Sequence, residues 1–421
     1  MNVFEIEHRL VPVIARMENN GVKINMPLLD KTKLRLTQMA SDIETDIQSH
    51  LGNEVNINSN EQLSEALFND LRIQPKSEEL TKKGSYKVNK AHLIKLVDQH
   101  DVIAVILRHR KVKSLYKFCN QLDKSHKKTN RLHCNFNQIG TETGRCSSSK
   151  PNLQNIPNPK LNENETDELK LIEAQYRKMF IPKRGWVYVC ADYSQMELRV
   201  MAHFSQDPFL VKAFNEDEDI HELTASEIFG VKRSEVTDEQ RSIAKSINFG
   251  LIYGKTAYGL ADDLTRITKE DYSVEMAQRV IDDYFEKLPA VKQCLDAFID
   301  QADDLGYSQT LYGRKRPIPQ LSSNNSSKRN AGKRIAMNTP IQGTAADILK
   351  IAMIKCDKAI SSRGLKSKMI LTVHDELLFE VPENEEDIMV ELVRENMENA
   401  AVLSVPLKVD LHTGTNWAEV H

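Results

Sequence analysis

Two acidic residues far apart in the chain stand where chemistry at phosphorus could use them. Asp192 follows WVYVCA (186–191), an apolar run with the composition of a buried strand, and Ser194 is a turn former ahead of a helical stretch to His203. A carboxylate is thereby expected at the C-terminal tip of a rigid strand. Asp375 lies at the polar centre of MILTVHDELLFEV (369–381), which reads as a buried β-hairpin with its turn between His374 and Glu376. A lone Asp there is most often only a turn former. A pair presented on rigid β-structure can instead hold Mg2+ jointly, because that ion takes few protein ligands and keeps room for substrate phosphates. Two such ions roughly 3.5–4 Å apart suit in-line displacement at phosphorus. Phosphoryl transfer and phosphodiester hydrolysis both use that arrangement, so the carboxylates alone leave the direction of reaction open.

A third segment bears on the direction. Thr237 and Gln240 form the pattern of a capping box, so a helix is expected from Thr237 to Gly254. Along it Arg241, Lys245, Phe249 and Tyr253 recur every four residues, while Ile243, Ile247 and Leu251 form a second stripe. The apolar stripe can dock on the protein and leave two cations and two exposed rings facing outward. Cations suit a triphosphate and rings suit a base, which is the chemistry of a nucleotide-binding surface. An amphipathic helix with a solvated edge would account for the cations but not for the rings. A metal-dependent nuclease would use the two carboxylates and leave this stripe without a purpose; a non-catalytic nucleic-acid scaffold would leave the carboxylates without one.

The elements that must position these residues follow from periodicity. Apolar spacing predicts helices over 5–20, 28–51 (stopped by Gly52) and 91–117, with turns at 56–60 and a basic loop, TKKGSY, at 81–86. Together they read as a helical hairpin with a basic tip. Residues 151–164 are rich in Pro and Asn and read as extended; helices dominate to about Cys294 and again over 328–361. Net charge is only −3, but 108–150 carries eleven basic residues (Arg108, Arg110, Lys111, Lys113, Lys117, Lys124, Lys127, Lys128, Arg131, Arg145, Lys150) against Asp123 and Glu142. That polarity suits one face for a phosphate backbone. The six cysteines are scattered with no zinc-like spacing, so reduced thiols are expected rather than disulfides or structural zinc. Without a leader-like N-terminus or a long apolar run, the chain is expected to be soluble and intracellular, with no membrane contact.

DYSQMELR (192–199), RSIAKSINFGLIYG (241–254) and VHDE (373–376) resemble, in that order, motifs A, B and C of the family A, or DNA polymerase I-like, polymerases. TETGRCSS (141–148), NLQNIP (152–157), DIHELTA (219–225), TLYGRKR (310–316) and NTPIQGTAADILK (338–350) match further family segments, so the likeness covers nearly the whole chain. It implies a template-directed DNA polymerase acting on primer-template DNA and dNTPs, using two Mg2+ ions with Mn2+ able to substitute, as a monomer. By the same resemblance Asp192 and Asp375 ligate the metals, with the carbonyl of Tyr193 as a further ligand and Glu376 as supporting carboxylate. Arg241, Lys245 and His221 would hold the triphosphate, with Lys245 also the proton donor to the departing pyrophosphate. Phe249 and Tyr253 would close over the base; Glu197, with Gln195 beside it, would be the steric gate against a ribose 2′-hydroxyl. Phe at 249 is the variant that disfavours dideoxynucleotides. Arg145, Gln154, Asn155, Arg334, Asn338, Gln342 and His374 would contact primer and template, largely on the minor-groove side, whose acceptors are common to all Watson–Crick pairs.

The implied fold class is α+β, a right hand with an antiparallel palm sheet and mostly helical fingers. Expected boundaries are 1–28 for an N-terminal helix on the palm, 29–118 for the thumb, 119–214 and 343–421 for the palm, and 215–342 for the fingers, with the motif B helix at 237–254. By the same resemblance the chain is expected to carry neither a proofreading nor a 5′ nuclease domain, and two polar stretches, 160–173 and 265–273, look longer than the family pattern.

Overall fold

The computed structural model describes all residues except 53, 54, 77–79, 160, 162–164 and 269. Parts of the two longer polar stretches, 160–173 and 265–273, therefore lie outside the described residues. Helix α1 (Val3–Asn20) opens on a capping box in which Asn2 and Glu5 each bond the other's backbone N–H. Its buried face is Ile6, Leu10, Val13, Ile14 and Met17, the spacing legible in the sequence. Helix α2 (Met26–Leu51) starts behind Asn25 and ends at Gly52, where φ is +88° and a side chain would be strained. Helix α3 (Asp101–Leu122) returns antiparallel to it, fastened by Lys33–Asp123 at 2.6 Å and by His109 and Lys113 on Glu44, both at 2.9 Å.

The expectation of one helix over 91–117 is corrected. A short helix, Lys90–Ile94, ends before 98–100, and α3 begins afresh at Asp101 with the His100 ring accepting from the Val102 N–H. The break lets Leu93 and Leu96 fold back on Val102, Ile103 and Ile106, closing a small core with Ile47, Leu63 and Leu67. That core is separate from the main one, and a third small cluster joins Ala302, Ile318, Leu321 and Ala336.

The main sheet has four antiparallel strands, β1 (Trp186–Tyr193), β2 (Lys368–Val373), β3 (Glu376–Pro382) and β4 (Val409–Gly414), in the order β4-β1-β3-β2. Between β1 and β2 in sequence come α4 (Met196–Ser205), α5 (Ile220–Phe229), α6 (Asp238–Ile252) and α7 (Ser326–Ser362), and α8 (Glu386–Glu398) precedes β4. Helix α8 packs on β1 and β4, α7 packs on α8 and α4, and α1 lies across α7 and β2. Buried on both sides, β1 and β3 read as nearly unbroken apolar runs.

Helix α7 carries Pro340 in its interior, which removes the N–H that would reach the Ala336 carbonyl. The hydroxyl of Ser308, buried, donates to that carbonyl at 3.1 Å, so the helix continues. A buried cluster then fixes α7 to α1: Lys350 Nζ donates to Glu7 at 2.6 Å, Arg314 to Asp347 at 2.7 Å and also to Glu7.

Candidate active site

Strand β1 extends two residues beyond the sequence expectation, so Asp192 is a strand residue rather than its tip. The extension follows from pairing on both edges: Asp192 lies opposite Asp410 on β4 and opposite Glu376 on β3. Directly opposed residues share a face with side chains about 5 Å apart, so Asp192 and Glu376 face one another. The hairpin is as expected, with Val373 paired to Glu376 across the two-residue turn of His374 and Asp375. His374 takes φ +53°, and the Asp375 carbonyl accepts from the Tyr193 N–H at 3.3 Å, which stitches the turn to β1. Tyr193 is itself anchored by its hydroxyl donating to the Met397 carbonyl at 2.7 Å.

Asp192, Tyr193, Asp375 and Glu376 line one cavity of about 270 Å³, and Glu197, His221, Lys245 and Phe249 line the same cavity. Burial, together with Glu376 and Asp375, pushes the Asp192 carboxyl up to about 7. For Glu376 burial also opposes the charge, yet donors from His421 and Trp417 hold it below the ordinary carboxylate range. Crowded carboxylates of this kind fit divalent cations, whose charge relieves the repulsion. Among the described residues no three His, Cys, Asp or Glu side chains gather closely enough to enclose an ion alone. Few protein ligands with remaining positions for water and phosphate is the pattern that suits Mg2+.

The capping box of Thr237 and Gln240 is present, and α6 runs to Ile252 with Ile243, Ile247 and Leu251 buried. Lys245 is exposed, while Phe249 and Tyr253 are half-buried rather than fully exposed, because α5 packs on α6 and lays the His221 ring 5.6 Å from that of Phe249. Tyr253 stacks on Phe249 at 6.4 Å. Asp219 caps α5 through the N–H groups of His221 and Glu222, and its other oxygen accepts from Arg241 Nε at 2.7 Å. Asn248, fully buried, donates to His221 Nδ1 at 3.1 Å, which leaves Nε2 as the protonated nitrogen. Burial lowers the His221 imidazole to about 4, so it stays neutral and a hydrogen-bond donor at ordinary pH.

Arg145 reaches the site because Gly144 adopts φ +82° and lies so close to the Arg314 side chain that a Cβ would sit 2.5 Å from its Nε. Arg145 Nη2 bridges Glu197 at 2.8 Å and Asp375 at 3.4 Å. Burial pushes the Glu197 carboxyl up to about 7 in spite of that arginine. Gln195, in the left-handed region at φ +51°, stands at the N-terminus of α4 without a side-chain cap bond and lines the cavity. On α7, Arg334, Asn338 and Gln342 fall at four-residue spacing on one stripe, and Arg334 packs against Gly254 just beyond Tyr253. Buried side-chain atoms without a partner include Arg145 Nε, Gln195 Oε1 and Asn338 Oδ1. Orphaned polar atoms are rare in folded proteins, and those of Arg145 and Gln195, both at the site, suit a ligand that completes them.

Other expected contacts are placed differently. Gln154 accepts from the Ser148 N–H and donates to the carbonyls of Cys146 and Thr372, each at 3.1 Å, so its amide holds the Arg145 segment against β2. Asn155 and His374 are exposed. The basic run at 108–150 is narrower as a free surface than its count implied. Arg108, Lys111, Lys113, Arg131 and Arg145 pair with Asp167, Glu173, Glu44, Glu380 and Glu197, and Arg110 bonds the Val88 carbonyl. Lys117, Lys124, Lys127, Lys128 and Lys150 are exposed with no ion pair among the described residues.

Asp219, Asn248, Trp417 and His421 also belong to the site; Asp219 and Asn248 lie within the matched segments 219–225 and 241–254 with no role assigned to them there, and Trp417 and His421 lie outside every motif segment. Asn248 could have been found as the polar break in the buried side of α6; Trp417 and His421 carry no spacing signal.

The sequence profile of DNA polymerase family A matches residues 26–419. The chain is 44% identical over 416 residues to a protein named DNA polymerase I from Caldicellulosiruptor bescii, covering 98% of this chain and 47% of that protein. With DNA polymerase I of Geobacillus stearothermophilus it shares 40% over 418 residues, 98% of this chain and 45% of the relative. The chain thus spans about half the length of these relatives. Among solved structures, the POL domain of Pol1 from M. smegmatis in complex with DNA primer-template and dNTP superposes with a TM-score of 0.86 at 38% identity, covering 98% of this chain and 70% of that one.

Proposed function

Because the chain belongs to DNA polymerase family A, with its α+β right-hand fold, we propose that it is a template-directed DNA polymerase extending a primer 3′-OH with dNTPs and releasing pyrophosphate. The observation that carries this reading is the single cavity shared by Asp192, Asp375, Lys245, His221 and Phe249. A hydrolase needs the carboxylates alone, whereas the cations and rings of α6 serve a nucleoside triphosphate. Asp192 and Asp375, with the Tyr193 carbonyl, would hold two Mg2+ ions, or Mn2+ in their place. When bound, such ions polarise the attacking 3′-oxygen and stabilise the leaving phosphate.

The protein's own groups do the rest. His221 donates from Nε2 to a phosphate oxygen in a fixed tautomer. Arg241, its Nε committed to Asp219, presents its remaining N–H groups, and Lys245 supplies a mobile cation that protonates the departing pyrophosphate. Phe249 and Tyr253 stack on the base pair, and Glu197 fills the space a 2′-hydroxyl would need. Arg145, Asn338 and Gln342 donate to minor-groove acceptors, while Arg334, Asn155 and His374 face primer and template and Gln154 supports Arg145. Residues 29–118 serve as thumb, 119–214 and 343–421 as palm, 215–342 as fingers and 1–28 as a helix on the palm, in a monomer.

Primer extension with Mg2+ and dNTPs tests this directly. The chain should lengthen a labelled primer, and leave a mismatched primer end untrimmed. Asp192→Ala and Asp375→Ala should each lose extension by several orders of magnitude and still bind primer-template. Near-normal extension by either variant, or shortening of the primer by the parent, would remove the assignment.

A further inference from the structure

Behind the metal-binding carboxylates the structure holds a device that neither the motifs nor the mechanism above uses. Glu376, on the next strand opposite Asp192, is almost fully buried, and both of its oxygens are taken. Trp417 Nε1 donates to Oε1 at 2.9 Å, and His421 Nδ1 lies 2.5 Å from Oε2. Trp417 is fully buried, with the Phe180 ring edge-on at 5.3 Å and the Arg177 guanidinium 4.6 Å over its face. Its backbone N–H also bonds the Phe180 carbonyl at 3.1 Å. The turn that carries it is closed on itself: Glu419 accepts from the Thr415 N–H, the Thr415 hydroxyl and Asn416 Nδ2, and Asn416 accepts from the N–H groups of Ala418 and Glu419. Val420 is buried beside it, and His421 emerges lining the cavity that contains Asp192 and Asp375.

This is more structure than a packed tail requires. A carboxylate with both oxygens bound cannot rotate toward an ion, yet its charge stays a fixed distance behind Asp192. Groups that orient metal ligands from behind are typically worth about tenfold to a hundredfold in metal affinity. We propose that Trp417 and His421 are positioning residues for the divalent-metal site, holding Glu376 as a fixed anion behind Asp192. The proposal rests on the two-carboxylate metal site of the preceding section.

The test titrates Mn2+ alone against the full chain, following free Mn2+ by electron paramagnetic resonance, for the parent, D192A, W417F, H421A and H421N. W417F removes the indole N–H donor and leaves a smaller aromatic ring toward Phe180 and Arg177. W417F and H421A should each weaken Mn2+ binding by about tenfold or more, and H421N, whose amide can donate to the same oxygen, should recover most of the loss. In primer extension, the Mn2+ concentration for half-maximal rate should rise for W417F and H421A, with the rate at saturating Mn2+ little changed. Parent-like Mn2+ binding by W417F overturns the proposal even if H421A fails to fold. If D192A binds Mn2+ as the parent does, the metal site itself is wrong, which is a different failure and is visible in the same titration.

Discussion

At the scale of single residues, the chemistry is set by what each polar group is denied or given by its surroundings. His221 has lost solvent and faces the cations Arg241 and Lys245, so the imidazole takes up its second proton only below about pH 4, against 6.5 for a free imidazole. Between those values the unfolded chain holds more protons than the folded one, so acid favours unfolding. The contribution of His221 to stability is therefore complete above about pH 6.5 and drains away as the pH falls toward 4. His221→Gln should flatten the corresponding part of the stability curve, measured as denaturant midpoints across that range. An unchanged slope would mean that the imidazole is charged in the folded protein. Glu197 supports a second expectation: its side chain lines the same cavity as Asp192, pinned by Arg145 at 2.8 Å, and the proposed function makes it the gate against a ribose 2′-hydroxyl. Glu197→Ala should reduce the preference for dNTP over rNTP in kcat/KM by about tenfold or more, with lower activity overall; unaltered sugar selectivity would reject the gate. Asp192, Asp375 and Lys245 were legible because each sits in a run whose periodicity sets its direction. Trp417 was not, since an indole aimed inward from a turn has no periodicity to betray it.

At the scale of elements, legibility tracked how much of an element's reason for existing is local. Helix α6 announces itself through its capping box and its two stripes, and the hairpin through its apolar runs. The break before α3 was missed because Leu93 and Leu96 turn back for a partner core that lies far away in sequence. The last two residues of β1 were missed because they pair with Asp410 and Glu376, again distant. Helix α7 shows the same dependence in reverse. Pro340 should end a helix by local rules, and Ser308, thirty-two positions earlier, compensates by donating to the stranded Ala336 carbonyl. Ser308→Ala should therefore destabilise the protein by about 1–3 kcal/mol, the usual consequence of an unsatisfied buried carbonyl. In a Pro340→Ala background, where residue 340 regains its N–H, the same substitution should have a much smaller effect. Equal effects in the two backgrounds, read from melting or denaturant midpoints, would show that Ser308 acts by packing alone. Because Asn338 and Gln342 flank Pro340, the continuity of this helix keeps them on one stripe with Arg334, which packs against Gly254.

At the scale of the whole molecule, separate buried cores and a set of long-range ion pairs decide which surfaces remain available. The small core around Ile47, Leu63 and Ile103 is joined to the larger one through α2 and α3. No described helix is long and apolar enough to cross a membrane. Counting charges along 108–150 overstated the basic face, since pairing is decided by tertiary neighbours such as Glu44, Glu173 and Glu380 that no local window contains. What remains is narrower and more testable: Lys117, Lys124, Lys127, Lys128 and Lys150, all exposed. Binding of a phosphate backbone releases counterions, and log K falls with log salt by about 0.9 for each phosphate neutralised on duplex DNA. If duplex lies along this face, replacing Lys127 and Lys128 together by Ala should lower the steepness of that salt dependence by about 2. Affinity should drop most at low salt and converge with the parent at high salt. A parallel loss at every salt concentration would instead indicate a disturbed fold, and an unchanged slope would move the duplex to another face of the molecule.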